Sequence, residues 1–292
     1  MTRPVARTAC PARATACYNG PVRISLVALD LDDTLLDPDL GINRLNLAAV
    51  KRALAVGVPV VLASGRTIAS MAPYAAELGM QGRGLPMICV NGAEVRDLDS
   101  GGTLRRIALS PEDIREALTV LSDLGLPAQV YEDELIIATE WNEWTQEDSR
   151  LTGLANRVAE RLDEMHAVPR GKLIAAGPPD HIGRVVDEAR SRLARFAHVV
   201  VSKPYFMEIL PHGADKGEAL SWVAARFGVP REEVMAVGDS GNDIGMLRWA
   251  GLGCAPADAR ADVLAIAAVV SPLAHHEGAV AELLERFVLA PQ

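Results

Sequence analysis

The side chains able to do chemistry in this chain stand where apolar runs end. Asp30 and Asp32 close the run Val22–Leu29 in Asp30-Leu31-Asp32-Asp33-Thr34, and Ser64 closes Val58–Ala63 in Ser64-Gly65-Arg66. Asp239 and Asp243 follow Val234–Val237 in Gly238-Asp239-Ser240-Gly241-Asn242-Asp243. Read alone, the first stretch is also an ordinary turn sequence, since acids and Thr are common where strands end. The second acidic stretch alters that reading, because carboxylates clustered at the ends of apolar strands repel one another and lose hydration unless a cation balances them. Oxygen ligands with no His or Cys beside them suit magnesium rather than zinc. A magnesium ion held by Asp30 and Asp239 would leave positions for water and for a substrate phosphate.

Such a constellation suits phosphoryl transfer, which needs positioning and charge neutralisation more than a strong base. Asp30 is the candidate nucleophile. Asp32, two residues on, is the candidate acid and base, protonating the leaving oxygen and then deprotonating the water that cleaves an aspartyl-phosphate. Ser64 offers a hydroxyl to a phosphoryl oxygen, and Gly65 lets the backbone approach an anion closely. Lys216, in Gly213-Ala214-Asp215-Lys216-Gly217-Glu218-Ala219-Leu220, adds a cation at the expected N-terminus of a helix, where charge and helix dipole both favour phosphate. The bland alternative for it is a solvated surface lysine. Asp33 and Asp37 read as loop acids, and His275-His276 as a surface turn rather than as ligands.

Elements that alternate between strand and helix periods must carry these residues, which is the pattern of βα units around a parallel sheet. The strand to Leu29, a helix face of Leu47, Val50, Ala53 and Leu54, the strand Val58–Ala63, a helix Thr67–Leu78 and the strand Met87–Val90 make the first part; in open α/β sheets the ligand crevice lies at the carboxyl ends of such strands. Between about Ala93 and Lys203 the texture changes. Strands are expected at Thr103–Leu109, Ala128–Glu132, Leu135–Thr139, Lys172–Ala176 and His198–Ser202, with helices at Glu112–Leu124, Glu143–Glu164 and Asp180–Arg195. Core strands then return at Val234–Val237, Leu252–Ala255 and Ala268–Ser271. The expected architecture is an α/β, Rossmann-like parallel-sheet core over 22–92 and 204–292, with an inserted α/β cap over 93–203. Residues 1–21 read as a disordered or misassigned extension without the apolar stretch of a secretory signal.

Composition bounds the rest. The chain has 292 residues, 49% of them hydrophobic and 23% charged, an ordinary globular balance with no apolar run near the roughly 18 residues a membrane span needs. Acids outnumber bases by 38 to 29, for a formal charge of −9, and no basic stripe interleaved with aromatics appears, which argues against nucleic acid as a partner. A soluble cytoplasmic protein is expected, with monomer and homodimer both compatible. Cys10, Cys17, Cys89 and Cys254 read as reduced thiols, the last two as small core residues.

In this order and combination, the motifs resemble those of haloacid dehalogenase superfamily phosphatases, and more narrowly of the Cof-like hydrolases with an inserted α/β cap, over about residues 22–287. The likeness rests on Asp30–Thr34, on Ser64-Gly65-Arg66 where the family often has Thr-Gly-Arg, on Asn91-Gly92-Ala93, Lys216-Gly217 and Gly238–Asp243, and on Gly278–Leu283 near the end. It implies a nucleophile at Asp30, an acid/base at Asp32, and phosphate contacts at Ser64 and Lys216. Magnesium would lie at Asp30, Asp239 and the backbone carbonyl of Asp32, with Asn242 on the phosphate side and Asp243 on the metal side supporting the ion and the lysine. Asp33 stands where many relatives have Gly, and Gly253–Ala259 differs from the common Met-Gly-Asn-Ala stretch.

The resemblance implies a magnesium-dependent phosphatase of small phosphorylated metabolites such as sugar phosphates, pyridoxal phosphate or a flavin nucleotide. Alternatives on the same chemistry are a sucrose-phosphate or mannosylglycerate-phosphate type phosphatase and a phosphomutase. A non-catalytic metabolite-binding protein is a further alternative. A cap of this type would close over the core and select the leaving group; there Tyr131, Glu132, Trp141, Trp144 and Lys172 either face the substrate or serve packing and surface.

Overall fold

The computed structural model describes residues 23–132 and 134–290, so the expected N-terminal extension, with Cys10 and Cys17, lies outside the described residues. Along the chain run β1 (Leu26–Leu29), α1 (Arg44–Ala55), β2 (Val60–Leu62), α2 (Ile68–Glu77), β3 (Pro86–Cys89), β4 (Glu94–Asp97) and β5 (Thr103–Arg106). Next come α3 (Pro111–Asp123), β6 (Ala128–Glu132), β7 (Leu135–Ala138), α4 (Glu143–Thr152), β8 (Ala155–Val158), β9 (Leu173–Ala176) and α5 (Pro179–Leu193). The chain continues through β10 (Ala197–Lys203), β11 (Phe206–Pro211), α6 (Lys216–Phe227), β12 (Val234–Val237), α7 (Ile244–Trp249), β13 (Leu252–Ala255) and β14 (Val269–Val270), among further short helices.

A parallel sheet in the order β14-β13-β12-β1-β2 forms the core, with β12 and β1 adjacent at its centre. Its strands read as unbroken apolar runs because both faces are covered. In β1, Val27 and Leu29 enter one hydrophobic cluster while Leu26 and Ala28 enter the other. In β12 the split falls between Met235 and Val237 on one side and Val234 and Ala236 on the other. That two-faced alternation is the pleat itself. It also fixes where Asp30 emerges: its amide donates to the Val237 carbonyl at 3.0 Å, continuing the β1–β12 ladder one step beyond the last strand residue.

A second sheet has six strands in the order β10-β11-β9-β6-β7-β8. One face is packed on α3 and α5: Leu173 and Ala175 of β9 join Ile114, Leu118, Ile182 and Val186 in one cluster. The opposite face carries Ile174, Phe206 and Tyr131 and looks toward the acids at the ends of β1 and β12, with which these residues share a cavity.

Several expectations are revised. The helix expected over Glu143–Glu164 stops at Thr152, because Gly153 takes a left-handed conformation (φ 71°) and caps it, as glycine does at helix ends. Beyond it β8 pairs parallel to β7 and a 3-10 turn spans Leu162–His166. β4 and β11 were not foreseen. β4 joins β3 and β5 in a small antiparallel sheet, and Val95 packs with the core residues Ile88 and Ala219. β11 pairs antiparallel with both β10 and β9, so a division at 203/204 would cut through a hairpin of the six-stranded sheet. We therefore propose a cap that begins after β5 and ends after β11.

Candidate active site

Each candidate side chain is delivered by the end of a core strand or the start of a helix. After β1 the chain turns tightly, the amides of Leu35 and Leu36 both donating to the Leu31 carbonyl at 2.9 Å. Thr34 is thereby brought over the end of β12, where its hydroxyl donates to Asp239 Oδ1 at 3.0 Å. Asp33 makes this turn with φ 60°, in the left-handed region that costs most L-residues energy. Ser64 ends β2, and its carbonyl accepts from the Asn91 amide at 3.0 Å. Val90 and Asn91 beyond β3 also have positive φ, 52° and 54°; for a β-branched residue such as Val90 that is a true outlier, of the kind that collects at functional sites.

α6 presents Lys216 in its first turn. Asp215 caps the helix, one carboxylate oxygen accepting from the amides of Gly217 at 2.7 Å and Glu218 at 3.1 Å. A side chain at Gly92 (φ 87°) or Gly245 would run into Asp215, so both glycines are what permits the helix to start this close to the sheet.

Lys216 is fully buried, with Nζ donating to Asp30 Oδ1 at 2.6 Å and Asp243 Oδ1 at 2.7 Å. The surface-lysine alternative is thus set aside. Burial works against its charge, but Asp243 and Asp30 outweigh that and hold it above the ordinary lysine range. Asp30, Asp239 and Asp243 each offer an oxygen within 4.8 Å of the others. Burial first, and then mutual repulsion within this group, push Asp30 and Asp239 above the usual carboxylate range.

These side chains fit a divalent cation. Among the described residues, hydrogen bonds reach Asp30 only at Oδ1 and Asp239 only at Oδ1, which leaves both Oδ2 atoms for a hard ion. Asp243 has less to spare. Its Oδ1 takes Lys216, while Oδ2 accepts from the amides of Asp239 at 3.1 Å and Ser240 at 3.0 Å, so in this geometry it anchors the loop and the lysine. Asn242 donates to Asn91 Oδ1 at 2.9 Å and accepts from the Ser240 hydroxyl at 2.6 Å. Its amide therefore braces one side of the cavity.

Asp32 makes a contact that its candidate role did not foresee. Arg66 grips it bidentately, Nε to Oδ2 at 2.9 Å and NH2 to Oδ1 at 2.6 Å. Burial would raise this carboxyl, but the hydrogen bonds and charge of Arg66 bring it below its ordinary value. An ionised Asp32 is ready to act as a base; to act as an acid it must first leave Arg66.

A cavity of about 320 Å³ joins these groups to the six-stranded sheet, lined by Asp30, Ser64 and Asp239 on one side and by Tyr131, Lys172 and Glu208 on the other. Lys172 Nζ donates to the Gly65 carbonyl at 2.8 Å, Asn91 donates to Glu208 at 2.6 Å, and Lys203 reaches Asp33 at 2.7 Å. Asp148, on α4, also lines the cavity, and burial pushes its carboxyl up to about 6. The other candidates from this region lie elsewhere. Glu132 pairs with Arg170 at 3.1 Å, Trp141 is exposed, and Trp144 stacks on Tyr205. His275 pairs with Asp258 in a 3-10 turn, as a turn reading expects. Arg66, Asp148, Lys203 and Glu208 are cavity residues that sequence reasoning missed; only Arg66 carried a signal, as the last member of Ser-Gly-Arg.

The sequence signature of the haloacid dehalogenase-like hydrolases matches residues 27–284, and the chain belongs to that family. It is 30% identical to YxeH of Bacillus subtilis over 271 residues, which are 91% of this chain and 98% of that protein. It is 29% identical over 269 residues to the HMP-PP phosphatase of Serratia proteamaculans, covering 91% of this chain and 96% of that one. A crystal structure of a haloacid dehalogenase-like hydrolase from Bacteroides thetaiotaomicron superposes with a TM-score of 0.84 at 30% identity, over 90% of this chain and 99% of that chain. The expected fold, a parallel α/β core with a separate α/β cap sheet, is borne out.

Proposed function

We propose that this hydrolase is a magnesium-dependent phosphatase of small phosphorylated metabolites, working through a phospho-Asp30 intermediate. The observation that carries the reading is the fully buried Lys216 bonded to both Asp30 and Asp243, a cation fixed behind the cavity-lining Asp30, whose other oxygen takes no hydrogen bond among the described residues. The relative named HMP-PP phosphatase supports a phosphate ester as substrate.

Asp32, released from Arg66 and protonated by the proton the ester monoanion or solvent brings, is the acid: Asp30 Oδ2 attacks phosphorus, the P–O bond to the leaving group breaks, and Asp32 gives that oxygen its proton. The ionised Asp32 then takes a proton from water, whose oxygen attacks the same phosphorus and breaks the Asp30–phosphorus link, releasing inorganic phosphate. Lys216 neutralises charge on Asp30 and on the transferring group, and the Ser64 hydroxyl donates to a phosphoryl oxygen. Residues that would hold the metal are Asp239 through its open oxygen, Asp30 through the carboxylate oxygen that does not attack, and Asp32 through its backbone carbonyl; the bound ion would neutralise phosphoryl charge.

Phosphate release from a panel of phosphorylated metabolites, with and without magnesium, tests this on the intact protein and on Asp30→Asn. Release that needs magnesium and disappears in the variant is the expected result. Hydrolysis that persists in Asp30→Asn would remove the covalent intermediate from the mechanism.

A further inference from the structure

The histidine pair in the turn before the helix Ala279–Leu284 has no part in the steps above. One oxygen of Asp258 and one ring nitrogen from each of His275 and His276 lie within 4.8 Å of one another. Asp258 holds His275 at two points, Oδ1 accepting from its amide at 3.0 Å and Oδ2 from Nδ1 at 2.6 Å. A carboxylate only accepts, so the proton of the neutral ring is on Nδ1 and Nε2 carries a bare lone pair. That atom is buried and has no hydrogen-bond partner among the described residues. Asp37 Oδ1, on the loop that follows the β1 turn, is buried and unpartnered in the same way. This loop lies against the histidine turn: Asn43 Nδ2 donates to the His276 carbonyl at 2.7 Å, and charge on either imidazole acts on Asp37.

Buried acceptors that meet no donor are costly, and a cation is what both of these lone pairs lack. The donor set says which kind. Oxygen ligands alone, as at Asp30 and Asp239, suit magnesium, whereas two imidazoles with carboxylates suit zinc and the neighbouring transition metals. A carboxylate bonded to Nδ1 is also the usual means of fixing the tautomer and aim of an imidazole that binds metal through Nε2. His275 is buried while Asp258 and His276 are exposed, which leaves an ion a way in.

We propose that His275 and His276, with Asp258 orienting His275 and Asp37 as the nearby carboxylate, bind a zinc-class transition-metal ion at a site separate from the phosphoryl-transfer centre. The proposal goes beyond the phosphatase reading and does not depend on it. Such an ion ties together the loop after the β1 turn, the loop after β13 and the histidine turn. The second of these already braces the catalytic acids, since the Arg260 amide donates to the Asp239 carbonyl at 3.0 Å and the Ala257 amide to the Leu273 carbonyl at 2.9 Å. The role assigned to the ion is therefore structural.

The test uses the full chain without a histidine tag, stripped with EDTA, returned to saturating magnesium and then given zinc. Zinc retained through gel filtration, zinc affinity and Tm with and without zinc are measured for the intact chain, His275→Ala, His276→Ala and Asp239→Asn. The intact chain should retain about one zinc ion and gain in Tm when zinc is added. Either histidine variant should bind zinc about tenfold or more weakly and lose the gain in Tm, while Asp239→Asn should keep both. No zinc retained by the intact chain means that the two lone pairs meet only water, and overturns the proposal. Equal affinity in the intact chain and His276→Ala, or zinc lost from Asp239→Asn but kept by His276→Ala, overturns it as well, the latter by placing the ion in the catalytic centre. His276 is exposed, so should His275→Ala not fold by melting, His276→Ala decides alone.

Discussion

Replacing Asp33 separates two effects that the fold sets against each other. This residue takes φ 60°, and its carboxylate reaches Lys203 at 2.7 Å, tying the turn after β1 to β10 of the cap sheet. The left-handed backbone costs about 1 kcal/mol for a non-glycine residue, somewhat less for Asp than for most. The ion pair is 50% exposed on the Asp33 side and 35% on the Lys203 side, so solvent screening limits it to about 0.5 kcal/mol. Asp33→Ala keeps the backbone cost and loses the pair, for a destabilisation of about 0.5–1 kcal/mol. Asp33→Gly loses the pair but relieves the backbone, which leaves it within about 0.5 kcal/mol of the parent. The two variants should therefore differ by about 1 kcal/mol, or roughly 2 °C in Tm for a chain of this size. Both should show a raised KM, because both lose the link between nucleophile turn and cap. Urea unfolding of the two variants, of Lys203→Met and of the double variants measures each part and the coupling. Equal destabilisation by Ala and Gly would refute the backbone argument, and unchanged KM in both would refute the link.

Three further perturbations follow from the acids and the glycines. In metal-free protein the folded state binds protons that the unfolded chain has lost, because Asp30 and Asp239 lie above their ordinary values; stability should fall as pH rises from about 5 to about 8, and magnesium should restore more at the higher pH. Tm measured with EDTA or magnesium at both pH values checks this, and a larger magnesium effect at low pH would contradict it. Arg66→Gln removes the strongest of the groups that hold Asp32 low against its burial, so the acid limb of the kcat profile, where Asp32 must be ionised, should move to higher pH; an unmoved limb argues that Asp32 is not the base. Gly245→Ala pushes a methyl group into the Asp215 carboxylate that caps α6, for which we expect a loss of about 2 kcal/mol in urea unfolding together with lower kcat.

The sequence was most informative where structure is local. β1 and β12 are unbroken apolar runs whose last residues precede Asp30 and Asp239, and an acid placed immediately after a buried strand has few places to go but the sheet's carboxyl edge. The same locality misled at two points. The run Phe206–Pro211 is buried along its whole length, which in a sequence looks like a core strand; only its pairing with β9 and β10 assigns it to the cap sheet. Glu143–Glu164 has helix-compatible residues throughout, and a single glycine at 153 ends the helix ten residues in.

For the site, what the sequence withheld is pairing across long separations. Arg66 and Asp32 are 34 positions apart, Asn91 and Glu208 are 117, and Lys203 and Asp33 are 170. No period or motif encodes such contacts: the first arises only once β1 and β2 pair, and the other two only once the cap sheet lies over the core. The consequence is chemical as well as topological. Read in sequence, Asp32 is an acid beside a nucleophile, poised for either direction of proton transfer; folded, it is an ionised carboxylate held by Arg66, whose guanidinium also lies 5.6 Å from the Tyr74 ring centre. In the proposed mechanism, protonating the leaving group requires that Asp32 be drawn from Arg66 toward the incoming phosphoryl group. Substrate itself, bringing negative charge to that spot, raises the proton affinity of the nearest carboxylate. On the proposed mechanism the acid is thus made by the ester that needs it, and the resting site keeps the base.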